Sequence, residues 1–567
     1  MMKDRASGFD PVTLEVVRNK LDGIANEMQL TLVRSAFSAI VKEGLDASAS
    51  LFTVDGETLA QALAIPIHLG ALVPMIGHLV RSVPLSAMRE GDVFILNDTY
   101  LGGTHLPDIA VMMPVFVGGR VLAISAAMTH HQDVGGMAPG STPTNATEIF
   151  QEGFRIPLLK LHDGGRPNET LLALLRRNVR LPEILIGDLH AEVAACSIGA
   201  RRLAALAAAY GAEFLSSLFR EMLDRSELMT RRALAALPQG TWRYADYLDN
   251  DGVDLERLVR IEVAVTLGNG TIACDFAGTS PQVRGPFNCV PSGPYAAACF
   301  AVRAATDPDQ RIPNNGGCFR PILLTLPEGS LVNPREPAPT GCRTSTIKRI
   351  TGCILGALRE AAPDRIPADS ASEILIMHFG GTRADSSRYV TSQLLVSGSG
   401  AGPDTDGIDV IETDASNCMN VPAEALMMEA PIRVHRVALN RDSGGAGRHR
   451  GGLGGIYEYE ILDGEAVLTY RAERHFCQAA GYADGAPGGF ASATIRRASG
   501  AEENIPSKIV TRLFKGDRLI VYTAGGGGHG DPCLRDPALL AADVQNGKVS
   551  RLAAATLYGA GVASAAS

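Results

Sequence analysis

Three of the chain's twelve histidines, His105, His130 and His131, stand with Asp98, Asp108 and Asp133 in one stretch, NDTYLGGTHLPDIAVMMPVFVGGRVLAISAAMTHHQDVGGMAPGS. Two imidazoles and one or two carboxylates make a mixed nitrogen–oxygen donor set that suits zinc, manganese or iron(II), with positions left for water. An ion so held acidifies bound water and polarises a carbonyl or phosphoryl oxygen. The competing reading is a turn-rich surface whose polar side chains bond only to nearby backbone. Val117-Gly118-Gly119-Arg120 reads as a two-residue hairpin turn. Counting back from that turn puts His130 opposite Pro107, with His105 as its diagonal neighbour at about 7–8 Å, close enough to share an ion. Asp108 falls on the other face of an unbroken strand, and turns in only if Pro107 interrupts the ladder.

Other residues extend the set. His131 and Asp133 adjoin His130 and are placed either to orient a ligand and move a proton or simply to pin the Gly-Gly turn that follows. His68, in PIHLG, lines the site or is a satisfied core histidine. Asp98 lies beside the ligands or does ordinary turn chemistry in NDTYLGG. Arg155 and Glu148, in NATEIFQEGFRIP, are candidates to contact an anionic intermediate. GGGGHGDP near the C-terminus reads as a tight turn rather than a phosphate cradle, because no clear helix follows it.

These residues need a scaffold. Asp10-Pro11 opens a helix that buries Leu14, Val17, Leu21, Ile24, Met28 and Leu32 along one face. Residues 51–134 read as strand-rich, with DVFILND, IAVMMPVF and VLAISAAM separated by glycine turns. A long helical stretch at 198–237 stops at Pro238-Gln239-Gly240. LVRIEVAVTL, Gly268-Asn269-Gly270 and TIACDF form a hairpin, and YAAACFAVRAA a small-residue helix. The expectation is a multi-domain α+β chain. Residues 1–238 form the helical and sheet region with the metal site, 239–430 a middle α+β region, and 431–567 a strand- and glycine-rich region.

Composition limits the alternatives. The chain has 567 residues, 46% hydrophobic and 20% charged, which excludes disorder and implies several domain-sized units. A net charge of −9 with interspersed signs gives no footprint for nucleic acid. No run of eighteen apolar residues predicts a membrane span, and the first thirty residues lack a signal-peptide apolar core. Ten cysteines without a CxxC pair read as reduced thiols. A cytoplasmic protein is expected.

NDTYLGGTHLPDIAV and THHQDVGGMAPGS resemble signature blocks of the hydantoinase B family, which includes the hydrolytic subunits of ATP-dependent hydantoinases and 5-oxoprolinases and the alpha subunit of acetone carboxylase. DPVTLEVVRNKLDGIANEM, PIHLGALVPM, EGDVFILND, YLDNDG, IPNNGGCFRPI, GGGGHGDP, DVQNGKVS and LYG carry the resemblance over essentially the whole chain. It implies a metal on Asp46, His105, Asp108 and His130. The family usually shows an arginine and a Ser-Cys pair around that aspartate, where this chain has Gly44 and Ala47-Ser48-Ala49. It also implies a hydantoinase A-type ATPase partner that phosphorylates a small cyclic amide, in a hetero-oligomer with two or more copies of each chain. The absence of a G-x-x-x-x-G-K-[ST] loop agrees with ATP being bound by that partner. Ring hydrolysis is the first expectation. Carboxylation of a phosphorylated enolate and a non-catalytic scaffold are the alternatives.

Overall fold

The computed structural model describes residues 8–559. Helix α1 (Pro11–Ser35) begins as its residues dictate: Asp10 accepts from the Thr13 N–H, Pro11 occupies the first turn, and the six apolar positions named above are buried. After the short α2 (Ala39–Lys42) come β1 (Ala47–Thr53), β2 (Thr58–Gln61), α3 (Pro66–Ser82), β3 (Val93–Leu96), β4 (Asp108–Val117), β5 (Arg120–His130), β6 (Leu159–Asp163) and β7 (Arg166–Pro167). The strands make one antiparallel sheet in the order β2-β1-β5-β4-β3-β6-β7. Helices α4 (Glu169–Asn178), α5 (Pro182–Tyr210) and α6 (Ala212–Ala236) follow. The sheet lies between α3 on one face and α1 with α5 on the other. Alternation sorts its side chains accordingly: Ala110, Met112, Ala126 and Met128 pack with α3, whereas Ile109, Val111 and Ala127 pack with α1 and α5.

Two sequence expectations are corrected here. The 51–134 stretch is not all strand, because α3 lies inside it. Pro74 and glycines 70 and 77 obscure its pattern, and so does its apolar character, which reflects burial between the sheet and a later helix. The helical stretch at 198–237 is two helices, broken at Gly211 (φ 87°), and the first begins at Pro182. Among the described residues α5 is the one helix long and apolar enough to cross a membrane. It packs on α1, β4 and β5, with Asp188 and Glu192 buried along it.

The middle of the chain forms a second sheet from β8 (Gly240–Leu248), β9 (Val259–Gly268), β10 (Thr271–Asp275) and β11 (Ile322–Thr325), in the order β11-β10-β9-β8. The expected Asn269-Gly270 turn joins β9 to β10, with Asn269 at φ 53°. The small-residue helix is α7 (Ser292–Thr306), which packs on α3, and α8 (Arg343–Arg359) lies against β8 and β9. Beyond them come β12 (Ile374–Thr382), β13 (Arg388–Val396), α9 (Ala423–Glu429), β14 (Ile432–Leu439), β15 (Gly455–Ile461), β16 (Glu465–Arg471), β17 (Ser492–Arg496), β18 (Glu502–Asn504), β19 (Lys508–Phe514), β20 (Arg518–Tyr522), α10 (Pro537–Gln545) and α11 (Arg551–Leu557). They build two sheets, β13-β12-β16-β19 and β14-β15-β20-β17-β18.

The largest hydrophobic core runs from Leu14 to Cys418, and a second gathers residues between Leu375 and Val521. Strand β12 is the wall between them. Ile374 and Ile376 enter the first core, while Leu375, Met377 and Phe379 enter the second. The glycines of GGGGHGDP lie backbone to backbone against other glycine-rich segments, and a Cβ on Gly526 would stand 1.9 Å from the Ser399 carbonyl oxygen. Their N–H groups are spent on protein carbonyls (Gly526 on Gly452, Gly527 on Asp369, Gly528 on Ala486), leaving no phosphate cradle. All ten cysteines are free thiols.

Candidate metal centre

Three segments deliver the central side chains. His105 sits in the loop before β4, Asp108 opens β4, and His130 ends β5. The Asp108 N–H donates to the His105 carbonyl, and this turn folds the two side chains together, with His105 Nε2 2.9 Å from Asp108 Oδ1. The expected hairpin register holds only near the turn, where Val117 pairs with Arg120 and Phe116 with Val121. A bulge at Leu122 then shifts the pairing by one residue, and Asp108 stands directly opposite His130. The strand therefore delivers Asp108 to the histidine face without the break at Pro107 that the regular ladder required. His105 and His130 stack edge to face with ring centroids 5.0 Å apart. One ligand atom from each of His105, Asp108 and His130 lies within 4.8 Å of the others, which makes a possible metal-binding triad.

Two further residues close on it. Asp46 immediately precedes β1, and its carbonyl accepts the His130 N–H. His68, in the first turn of α3, has Nε2 3.3 Å from Asp46 Oδ1 and 3.4 Å from Asp108 Oδ1. The other oxygen of Asp108 is committed elsewhere. Thr104 Oγ1 donates to it at 2.5 Å, and so does the guanidinium of Arg343, the first residue of α8. His105 Nδ1 donates to the Gly341 carbonyl at 2.9 Å, which fixes the tautomer and leaves the Nε2 lone pair facing Asp108 Oδ1, two acceptors placed to share an ion. Gly341 is held in turn by buried Glu152, which accepts its N–H at 2.6 Å and that of Thr340 at 3.1 Å.

The electrostatics suit ligation. Burial, with the Arg343 guanidinium nearby, lowers His105 to about 4. Burial and the adjacent His105 hold His130 well below the usual imidazole value. Burial alone would raise Asp108, but His105, Arg343 and His68 outweigh it and keep the carboxyl well below its ordinary range. Burial lifts Asp46 to about 6, against the attraction of His68. Two neutral imidazoles and an ionised carboxylate are the protonation states a divalent cation requires. The ring Nδ1 atoms of His130 and His68 are buried without a hydrogen-bond partner. A cavity of about 30 Å3 adjoins the cluster, lined by Asp46, His68, His130, Arg343, Ser416 and Cys418 among others. Donor chemistry, orphaned nitrogens and adjoining space fit a divalent ion.

The remaining sequence candidates lie apart from this cluster. His131, one residue beyond His130, points through the opposite face of the sheet, its Nε2 3.1 Å from Thr129 Oγ1 and 3.4 Å from Glu192 of α5. Asp133 accepts from the N–H groups of Gly135, Gly140 and Arg180 and pairs with the Arg180 guanidinium at 2.8 Å, so it pins the glycine turn. Asp98 caps a 3-10 turn through the Tyr100 N–H and pairs with Arg155. Arg155 also binds Glu336, and exposed Glu148 caps its own short turn. Arg343 escaped sequence reasoning altogether. It lies 235 residues from Asp108 in the chain, and nothing in Gly-Cys-Arg-Thr-Ser-Thr marks it as a partner of a carboxylate.

The fold and its buried histidine–carboxylate cluster define a multi-sheet protein with a polar centre of metal-ligand chemistry. The hydantoinase B/oxoprolinase family model matches residues 10–532, and the chain belongs to that family. It is 32% identical to the beta chain of the caprolactamase of Pseudomonas jessenii over 97% of this chain and 96% of that one. With the B-type chain of a putative D-/L-hydantoinase of Pseudomonas sp. (strain NS671) it shares 29% identity, over 97% and 95% of the two chains. The crystal structure of the ATP-dependent caprolactamase from Pseudomonas jessenii superposes with a TM-score of 0.90 at 30% identity, covering 98% of this chain and 96% of that one. A nucleotide-free acetone carboxylase shares the fold, with a TM-score of 0.88 at 19% identity over 97% and 79%.

Proposed function

We propose that this chain is the hydrolytic subunit of an ATP-dependent cyclic amide hydrolase, acting with a hydantoinase A-type ATPase subunit. The observation that carries the reading is the convergence of His105, Asp108 and His130 in one buried cluster, in a chain of this family. Amide resonance makes a ring amide a poor electrophile. Phosphorylation of its oxygen by the partner, at the expense of ATP, removes that resonance. Water then adds to the ring carbon and the C–N bond breaks as the nitrogen takes a proton. The resulting acyl phosphate hydrolyses to carboxylate and inorganic phosphate.

His105, Asp108, His130 and Asp46 would hold a zinc, manganese or iron(II) ion. When bound, it supplies Lewis acidity and acidifies water. Arg343 and Thr104 fix the rotamer of Asp108, the Gly341 carbonyl fixes the ring of His105, and His68 Nε2 lies beside both Asp46 and Asp108, where it orients the two carboxylates. His131 and Asp133 take no proton-transfer role in this scheme, since their contacts point elsewhere. The same donors would serve carboxylation of an enolate. The likeness to acetone carboxylase is one of fold, however, and the caprolactamase of higher identity bears an amide-hydrolase name.

Elemental analysis of the wild type and of a His105→Ala, His130→Ala double variant tests the scheme. About one ion per wild-type chain, absent from a variant with unchanged circular dichroism, is expected. The same variant should also abolish ring opening in an assay containing partner and ATP. A wild type that stays metal-free after reconstitution would leave a scaffold for the partner as the better reading.

A further inference from the structure

A second, larger cavity of about 800 Å3 lies on the other side of a thin wall from the metal cluster. Helices α1, α3, α6 and α7 surround it. The wall is made of two segments whose successive side chains face alternate cavities. Ile65, Ile67 and His68 line the small space at the cluster, while Ala64 and Pro66 line the large one. On the second segment Ser416 and Cys418 face the cluster, and Asn417 between them faces the large cavity. A hydrogen bond from the Ile67 N–H to the Ala415 carbonyl ties the segments together. The helix α3 that starts here has no side-chain cap.

Size makes the division meaningful. At about 30 Å3 the space beside the cluster has room for an ion or roughly one water molecule, and not for a ring. At about 800 Å3 the neighbour has the volume of a small-molecule site. Its walls mix apolar groups, among them Leu14, Met222, Tyr295 and Phe300, with four arginines (18, 225, 303 and 311) and three carboxylates (Glu15, Asp22 and Asp307). Leu63 stands 88% exposed on its wall. Each arginine is paired, Arg18 with Glu15 and Asp22, Arg225 with Glu221, Arg303 with Asp307 and Arg311 with Asp309, so the walls are apolar with neutralised charge and suit a compact uncharged ring.

We propose that the large cavity is the site on this chain that holds the ring of the cyclic amide, and that the wall formed by residues 64–67 and 415–418 must part for the ring, once activated by the partner, to reach the metal cluster. This rests on the amide-hydrolase reading above. The test is a ligand-observed NMR titration of the full chain, stripped of metal, with hydantoin, 5-oxoproline and ε-caprolactam as probes. Met229→Trp and Ala304→Trp fill the large cavity, the former from a partly exposed position that tolerates bulk. His130→Ala perturbs only the cluster. Binding of at least one probe to wild type and to His130→Ala is expected, weakened about tenfold or more by either tryptophan. Hydrogen exchange of peptides covering 62–68 and 415–419 should change together when that probe binds.

Binding abolished by His130→Ala but untouched by both tryptophans would overturn the proposal. So would failure of all three probes to bind, or binding with unchanged exchange in the two wall segments. Metal content after reconstitution of the same protein reads the hydrolase scheme separately, so a wild type that takes up no metal on reconstitution yet binds rings in the large cavity sinks that scheme and not this site.

Discussion

Asp108 divides its two oxygens between different duties. Oδ1 faces His105 and His68, whereas Oδ2 is held by Thr104 and Arg343. A carboxylate anchored on one oxygen presents the other in a fixed direction, which is how groups behind a ligand tune metal affinity. Arg343→Met removes one anchor while keeping the aliphatic bulk. Zinc affinity should fall about 10–100-fold, as read by competition with a chelator, and the melting temperature of the metal-free protein should fall too, since the buried Asp108 carboxylate loses its cationic partner. Arg343→Lys should recover part of that loss, since a point charge replaces a planar fork. An unchanged affinity in Arg343→Met would assign the arginine to packing alone. His105, Asp108 and His130 were legible in the sequence because ligand types clustered around one recognisable hairpin. Arg343 was not, because a contact across 235 residues has no local signature. The two-residue period of a strand already separates His130 from His131, so adjacency in sequence was a poor guide to adjacency in the site.

At the scale of elements, one inserted residue and one glycine set the geometry. The regular hairpin count paired His130 with Pro107. The bulge at Leu122 converts that to Asp108, a shift no turn rule foretells, because bulges sit at positions set by sheet twist. Helix α3, which carries His68, approaches α7 so closely that a Cβ on Gly70 would lie 2.4 Å from that of Ala296. Gly70→Ala therefore forces the first turn of α3 outward. It should destabilise the fold by about 1–3 kcal/mol in urea denaturation and weaken metal binding through displacement of His68. A silent substitution would show that the two helices can separate freely.

The loop beneath His105 offers a pH signature. Burial raises Glu152 to about 8 from an ordinary 4.5, although two backbone N–H groups favour its charged form. Between those values the folded state binds more protons than the unfolded one, so this group's stabilisation is complete below pH 4.5 and is lost as pH rises toward 8. Relative to Glu152→Gln, the wild type should lose stability across that window, by at most about 1.4 kcal/mol per pH unit. Parallel pH dependences of the two proteins in urea denaturation would refute a protonated Glu152.

For the whole molecule, the question is whether the cluster belongs to one part of the chain or to all of it. Asp46, His68, His105, Asp108 and His130 lie in the first sheet and its covering helix. Their supports come from further along: the Gly341 carbonyl, the Arg343 guanidinium, and Ile374, Ile376, Leu394 and Cys418 around the adjoining space. The largest core is likewise continuous from Leu14 to Cys418. Composition and periodicity gave the α+β class and three helical stretches, α1, the C-terminal part of α5 with α6, and α7, but they could not show that strands from the distant half wall off the cluster, since β12 reads as an apolar run whichever core it faces. A fragment of residues 1–238 would contain every proposed ligand and still lack Arg343, Gly341 and the shared core. We expect such a fragment to unfold without a cooperative transition and to bind zinc far more weakly than the full chain. Circular dichroism melting and a chelator competition measure both. If the fragment instead melts cooperatively and holds one ion at full-chain affinity, the N-terminal part is autonomous, and the later segments serve substrate and partner rather than the ion.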